Sequence, residues 1–251
     1  MTRRAQPGAD ASVAQSASVT TGSRLSARRY CERVHVLSVN VARPRVNPDP
    51  RAQSKLTGID KQPVAEAVLV RPPGRSQSDA SGLLGDTIGN PKLHGGADQA
   101  VYAYAREDLD HWEAQLGRTL DNGMFGENLT TAGVDLTQTR IGERWRIGTG
   151  TLLLEVSAPR TPCRTFASFL DLPRWIKTFT DAGMPGAYFR VLSSGEVRAG
   201  DGITVEYRPD HDVTIGLAFR ARMTDPGLAP TLLQADALSA ELKRFARQRA
   251  T

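Results

Sequence analysis

A chain of 251 residues, 39% apolar and 24% charged, can bury one sizeable core, and none of its apolar runs nears the roughly 20 residues of a membrane span. The net charge of +5 is concentrated at one end: residues 1–29 hold Arg3, Arg4, Arg24, Arg28 and Arg29 against the single acid Asp10, leaving +1 for the rest and no whole-domain basic field for nucleic acid. Two cysteines, Cys31 and Cys163, rule out a disulfide-stapled scaffold and an all-cysteine iron–sulfur cluster, and point to a reducing, cytoplasmic setting with neither nucleic-acid nor membrane partner.

In chain order, residues 1–30 are rich in Ala, Ser and Thr and poor in large apolar side chains, which predicts a disordered tail. An organelle transit peptide or an over-extended start are the alternatives for this segment. Alternation predicts strands at Val34–Val41, Val64–Val70 and Ala100–Ala105. A helix follows, with Leu109, Trp112 and Leu116 on one face, Glu107 and Asp108 in its first turn and Gly117 as its stop. Further strands are predicted at Thr139–Ile147, Thr151–Ser157, Tyr188–Leu192 and Gly202–Tyr207, with a second helix at Leu170–Ala182. Leucines at 238 and 242 and Phe245 put an amphipathic helix over Leu232–Ala250. The fold expected is mainly β, a closed or nearly closed barrel with interspersed helices. Its parts are a tail at 1–30, a barrel domain at 31–209 and a small helical extension at 210–251.

Chemistry concentrates in Ala158-Pro159-Arg160-Thr161-Pro162-Cys163-Arg164, where two prolines stiffen the backbone and two guanidiniums flank one thiol. Positive charge favours the thiolate, the form that attacks electrophiles or ligates a soft metal. The plainer reading is a small buried hydrophobe beside a strand. His94-Gly95-Gly96 precedes a strand, where bare amides approach an anion closely or simply make a tight turn. Glu127 and Asn128 stand at another strand entrance, and Asn128 is equally a turn former. No GxGxxG or Walker loop is present, so redox chemistry here needs outside electrons.

Taken in order, Gly85-Asp86 leading to KLHGGADQAV, then FGENLTTAG, IGERWRIGTGTLLLEVSAPRTPC and PGAYFRVLSSGEVRAGD resemble the MOSC domains, in particular their bacterial YiiM-like branch, over roughly Leu56 to Tyr207. The resemblance implies a β-barrel that binds the molybdenum cofactor, molybdopterin, with Cys163 as the metal's thiolate ligand and the catalytic residue. It further implies that Lys61, His94, Gly95, Gly96, Asn128, Arg160, Thr161 and Arg190 serve the cofactor. For Lys61 a solvated surface charge is an equal reading. The implied reaction is reduction of N-hydroxylated compounds, such as hydroxylamino bases, with electrons from a separate flavin or iron–sulfur protein. A carrier of the cofactor or of sulfur uses the same thiol, and a thiol redox enzyme pairing Cys163 with Cys31 is the third reading.

Overall fold

Side chains of Val101–Ala105 alternate between two cores: Val101, Ala103 and Ala105 enter an aliphatic cluster, Tyr102 and Tyr104 an aromatic one. This is the two-residue period of a strand buried on both faces. The computed structural model describes residues 34–74, 79–91 and 94–250, so the expected tail and Cys31 lie outside the described residues.

The strands are β1 (His35–Ala42), β2 (Arg45–Val46), β3 (Leu56–Thr57), β4 (Lys61–Val64), β5 (Val68–Val70), β6 (Val101–Ala105), β7 (Leu129–Ala132), β8 (Arg144–Ile147), β9 (Leu153–Pro159), β10 (Ala187–Ser193), β11 (Gly195–Val197) and β12 (Ile203–Tyr207). Eight form a mixed sheet in the order β12-β8-β9-β10-β6-β7-β1-β4, and two short pairs, β11 with β5 and β2 with β3, flank it. Only β6 and β7 run parallel within the eight, and the crossover that such a pair demands is supplied by α1 (Arg106–Leu116).

The mainly β expectation is met, but the ladders do not close into a ring. They end at β12 and β4, and the start of β1 meets the start of β12 through one bridge, His35 with Gly202, and three backbone bonds: the Val36 amide to the Asp201 carbonyl at 2.9 Å, the Gly200 amide to the Val36 carbonyl at 2.8 Å and the Ile203 amide to the Val34 carbonyl at 2.8 Å. The stretch expected as one strand at Val64–Val70 is split between β4 and β5, which belong to different sheets. A bulge between Val36 and Ser38 likewise interrupts the alternation of β1 and leaves Leu37 exposed.

The helix expected at Leu170–Ala182 starts later, as α3 (Trp175–Ala182), and a further helix, α2 (Arg164–Leu170), precedes it. Between them Asp171 and Arg174 adopt left-handed backbone around Pro173, whose ring cannot continue a helix and disfavours helical Leu172. Beyond residue 210, α4 (Ile215–Met223) is capped by Thr214, a 3₁₀ segment spans Pro226–Gln234, and α5 (Ala240–Arg247) is capped by Ser239. The single helix expected over Leu232–Ala250 is thus interrupted, and Ser239 followed by Glu241 was the start signal. Val213, Ile215, Ala218, Leu238 and Leu242 share the aliphatic core with the strands. No helix among the described residues is long and apolar enough to cross a membrane.

Candidate functional site

The strand β9 runs out at Pro159, and the chain stays extended to Cys163, which has φ −125° and ψ 168° at the position preceding α2. Its sulfur makes no capping hydrogen bond and remains a free thiol, partly exposed to a cleft of ≈ 340 Å³. Phe166, one turn further along α2, anchors this end of the helix against Phe125 in the aromatic core, ring centroids 5.0 Å apart.

Arg160 is 4% exposed. One nitrogen donates to the Phe125 carbonyl at 2.8 Å, and the guanidinium lies 4.0 Å from the Phe166 ring centroid and 5.2 Å from that of Tyr102. Burial disfavours its charge, but Tyr102, Tyr188 and Cys163 outweigh burial and raise its pKa, and no carboxylate among the described residues pairs with it. A buried cation left in this way is a strong attractor for an anion. Arg164, expected beside the sulfur as a second source of positive charge, is instead engaged by Asp49 at 3.1 Å and by the Arg51 carbonyl at 3.0 Å.

His94 lines the same cleft. Burial, and then the charge of Arg160, lower its pKa to about 4, so the imidazole is neutral at physiological pH. Tyr102 and Tyr188 also line the cleft, with phenols pushed up by burial against the opposing charge of Arg160. These two tyrosines went unassigned in the sequence, although alternation in Val101-Tyr102-Ala103-Tyr104 and in Ala187-Tyr188-Phe189 marks the face they share.

Lys61 is neither a surface charge nor an idle ligand. It lines the cleft, yet its ammonium is bound by both oxygens of the fully buried Asp86 carboxylate, at 2.5 and 2.6 Å. Asp86 also accepts from the Ala42 amide, Ser81 and Asn128. Asn128 lines the cleft while its amide is spent on Asp86 and on the Tyr102 amide. Glu127 is a buried turn organiser, accepting from the Gly123 and Phe125 amides and from Thr130, and burial raises its pKa.

Three expected ligands do not line the cleft. Thr161 is exposed, Gly96 is set back, and Arg190 is bound to Asp98 at 2.7 Å, Glu155 at 3.1 Å and the Ala237 carbonyl at 2.6 Å, tying the sheet to the C-terminal helices. The Gly95 and Gly96 amides are already committed, to the Gln99 side chain at 3.3 Å and the Ala80 carbonyl at 3.0 Å. Both residues have positive φ, 88° and 78°, so the pair is first of all a turn. Gly96→Val is therefore expected to lower stability by about 1–3 kcal/mol through backbone strain alone. Thermal unfolding checks this, and an unchanged melting temperature would count against the turn.

Among the described residues no cluster of three or more His, Cys, Asp or Glu is arranged to hold a metal ion. The family model of the MOSC domain matches residues 90–204, which include His94, Asn128, Arg160 and Cys163. An uncharacterized protein of Bacillus subtilis, YflK, is 32% identical over 194 residues, 77% of this chain and 83% of its own length. A Gibberella moniliformis protein named a reductase is 35% identical over 133 residues, but these make up only 23% of that protein. The crystal structure of YiiM from Geobacillus stearothermophilus superposes with a TM-score of 0.69 at 29% identity, covering 87% of this chain and all of that one. MOSC domains are associated in general with binding of the molybdenum cofactor. The extended Pro-Arg-Thr-Pro-Cys segment, the buried cation beside its thiol and the extent of these similarities lead to one assignment: the chain belongs to the MOSC domain family.

Proposed function

We propose that the chain is a molybdenum-cofactor-binding oxidoreductase that reduces N-hydroxylated compounds, such as hydroxylamino bases, with electrons from a separate flavin or iron–sulfur protein. The observation that carries this reading is the Cys163 thiol opening into a cleft beside Arg160, a buried guanidinium that no carboxylate among the described residues pairs with. The donor set suits the cofactor: a soft sulfur for molybdenum and a planar cation for a phosphate. Cys163 would hold the metal and Arg160 the phosphate.

Bound there, the cofactor supplies two-electron cleavage of the N–O bond, R–NHOH with two electrons and two protons giving R–NH₂ and water. The chain's own residues do the rest. Arg160 fixes negative charge in a site that Tyr102, Tyr188 and Phe166 shield from water. Neutral His94 offers the ligand one donor and one acceptor nitrogen. Lys61, Asp86 and Asn128 keep the wall rigid. The family supports molybdenum, and the relative named a reductase supports the oxidoreductase class.

The test uses protein from a host that makes the cofactor. Metal and pterin analysis is expected to find both, and reduced viologen is expected to drive reduction of an N-hydroxylated purine. Bound cofactor without turnover under any electron source would make the chain a carrier instead, and absence of both molybdenum and pterin would sink the reading.

A further inference from the structure

The residue immediately after the thiol does not serve the thiol. Arg164 donates from Nε to Asp49 at 3.1 Å and from Nη2 to the Arg51 carbonyl at 3.0 Å, and Thr165 donates to Asn47 at 3.3 Å. All three bonds reach one segment, the stretch between β2 and β3. That stretch contributes Asn47, Asp49, Arg51, Ala52, Gln53 and Ser54 to the lining of the cleft. It is a wall made of loop.

Asp49 is the pivot of this wall. It is 7% exposed, and its carboxylate accepts from the Arg51 amide at 3.0 Å as well as from Arg164. The rest of the attachment is mostly polar: Arg45 pairs with Asp60 at 3.0 Å and lies 5.4 Å from the Phe169 ring centroid. Ser54 donates to the Gly89 carbonyl at the far end, and the β2–β3 pair contributes only two registered residue pairs, Arg45 with Thr57 and Val46 with Leu56. Val46 is 76% exposed and Leu56 52%, so little apolar packing holds the hairpin down. Where packing is thin, a charge-assisted bond decides position.

We infer that the Asp49–Arg164 pair fixes the 47–54 loop as the size-selecting wall of the cleft, so that this loop sets which molecules reach Cys163. Asp49 and Arg164 are positioning residues: they act through the wall. The inference is independent of the redox reading, because it concerns access to a thiol and holds with or without a cofactor.

The experiment compares the rates at which iodoacetamide, which is small, and fluorescein maleimide, which is bulky, alkylate Cys163 in the full chain. Peptide mapping separates Cys163 from Cys31. Both reagents attack the thiolate, so the ratio of their rates cancels any change in thiolate fraction and reads access. In the wild type the bulky reagent should lag. In Arg164→Gln, which removes a half-exposed charge and leaves the core intact, the bulky-to-small ratio should rise about tenfold as the charge-assisted bonds to Asp49 and the Arg51 carbonyl are lost. Asp49→Asn should do the same, and Arg164→Lys, which keeps the ion pair, should restore most of the discrimination. An unchanged ratio in Arg164→Gln, or equal acceleration of both reagents, would overturn the proposal, since the first leaves the wall in place and the second reflects general loosening.

Discussion

Cys163→Ser should fold as the wild type does and lose turnover by more than the roughly 10–100-fold that outer-shell changes cost at metal sites. The structural half of this expectation follows from position. Cys163 stands where a helix prefers a capping oxygen, and its sulfur caps nothing, so a serine there should hold or slightly raise the melting temperature. The chemical half follows from softness, because a hydroxyl is a poor replacement for a thiolate at molybdenum. Viologen-driven turnover and molybdenum content, measured on the same preparation as the melting curve, check both halves. Full turnover in the serine variant would remove Cys163 from the mechanism even if the cofactor were bound.

The second large effect is on stability. Lys61→Met removes the cation from a pair whose side chains are 5% and 0% exposed, and leaves the Asp86 carboxylate buried with neutral donors only. Breaking a buried pair from one side costs about 3–5 kcal/mol, which urea unfolding at pH 7 would read directly. The pH dependence carries the diagnostic sign. In the wild type, burial pushes the Asp86 pKa up, but the charge and hydrogen bonds of Lys61, with those of Ser81 and the Ala42 amide, hold it below the usual range. Such a group stabilises the fold above its unfolded pKa of about 3.9, and the contribution is lost as pH falls through the lower folded value. With Lys61 gone, burial dominates and the folded pKa rises above the unfolded one, so the stabilisation belongs to the acid side and is lost as pH rises. The deficit of the variant should therefore shrink as pH is lowered from 7 toward about 4. A deficit independent of pH would mean that Asp86 is not the group left stranded.

Cys163 and Arg160 were legible in the sequence because they are close in the chain and rigidly joined, so spacing alone brings thiol and cation together. Arg164 and Arg190 misled for the opposite reason. Each has a carboxylate from far away in the chain, Asp49 or Asp98, and local sequence carries no trace of such a partner. Lys61 belongs with them, since its fate was set by Asp86 across 25 residues. The glycines at 95 and 96 announced an unusual backbone correctly, but not that Ala80 and Gln99 would consume their amides. The strands β1, β6, β8, β9, β10 and β12 and helix α1 followed from periodicity, whereas the short β2, β3 and β11 carried no such signal. The late start of α3 stood in the sequence as Pro173, which the expected helix at Leu170–Ala182 ran through.

Asp98 accepts from the Ala240 amide at the start of α5, a contact that spans 142 residues, and from Arg190 across 92. Contacts of such range form only after the intervening loops have closed, so they are latecomers in folding. The loop that carries His94 is fastened by them. Hairpins such as β8 with β9 pair over a short stretch of chain and can form early, whereas the β1–β7 and β6–β10 ladders of the same sheet need closures as long as that of Arg190 with Asp98. Frame and recess thus depend on the same long closures, and the recess around the thiol is complete only when distant parts of the polypeptide have met.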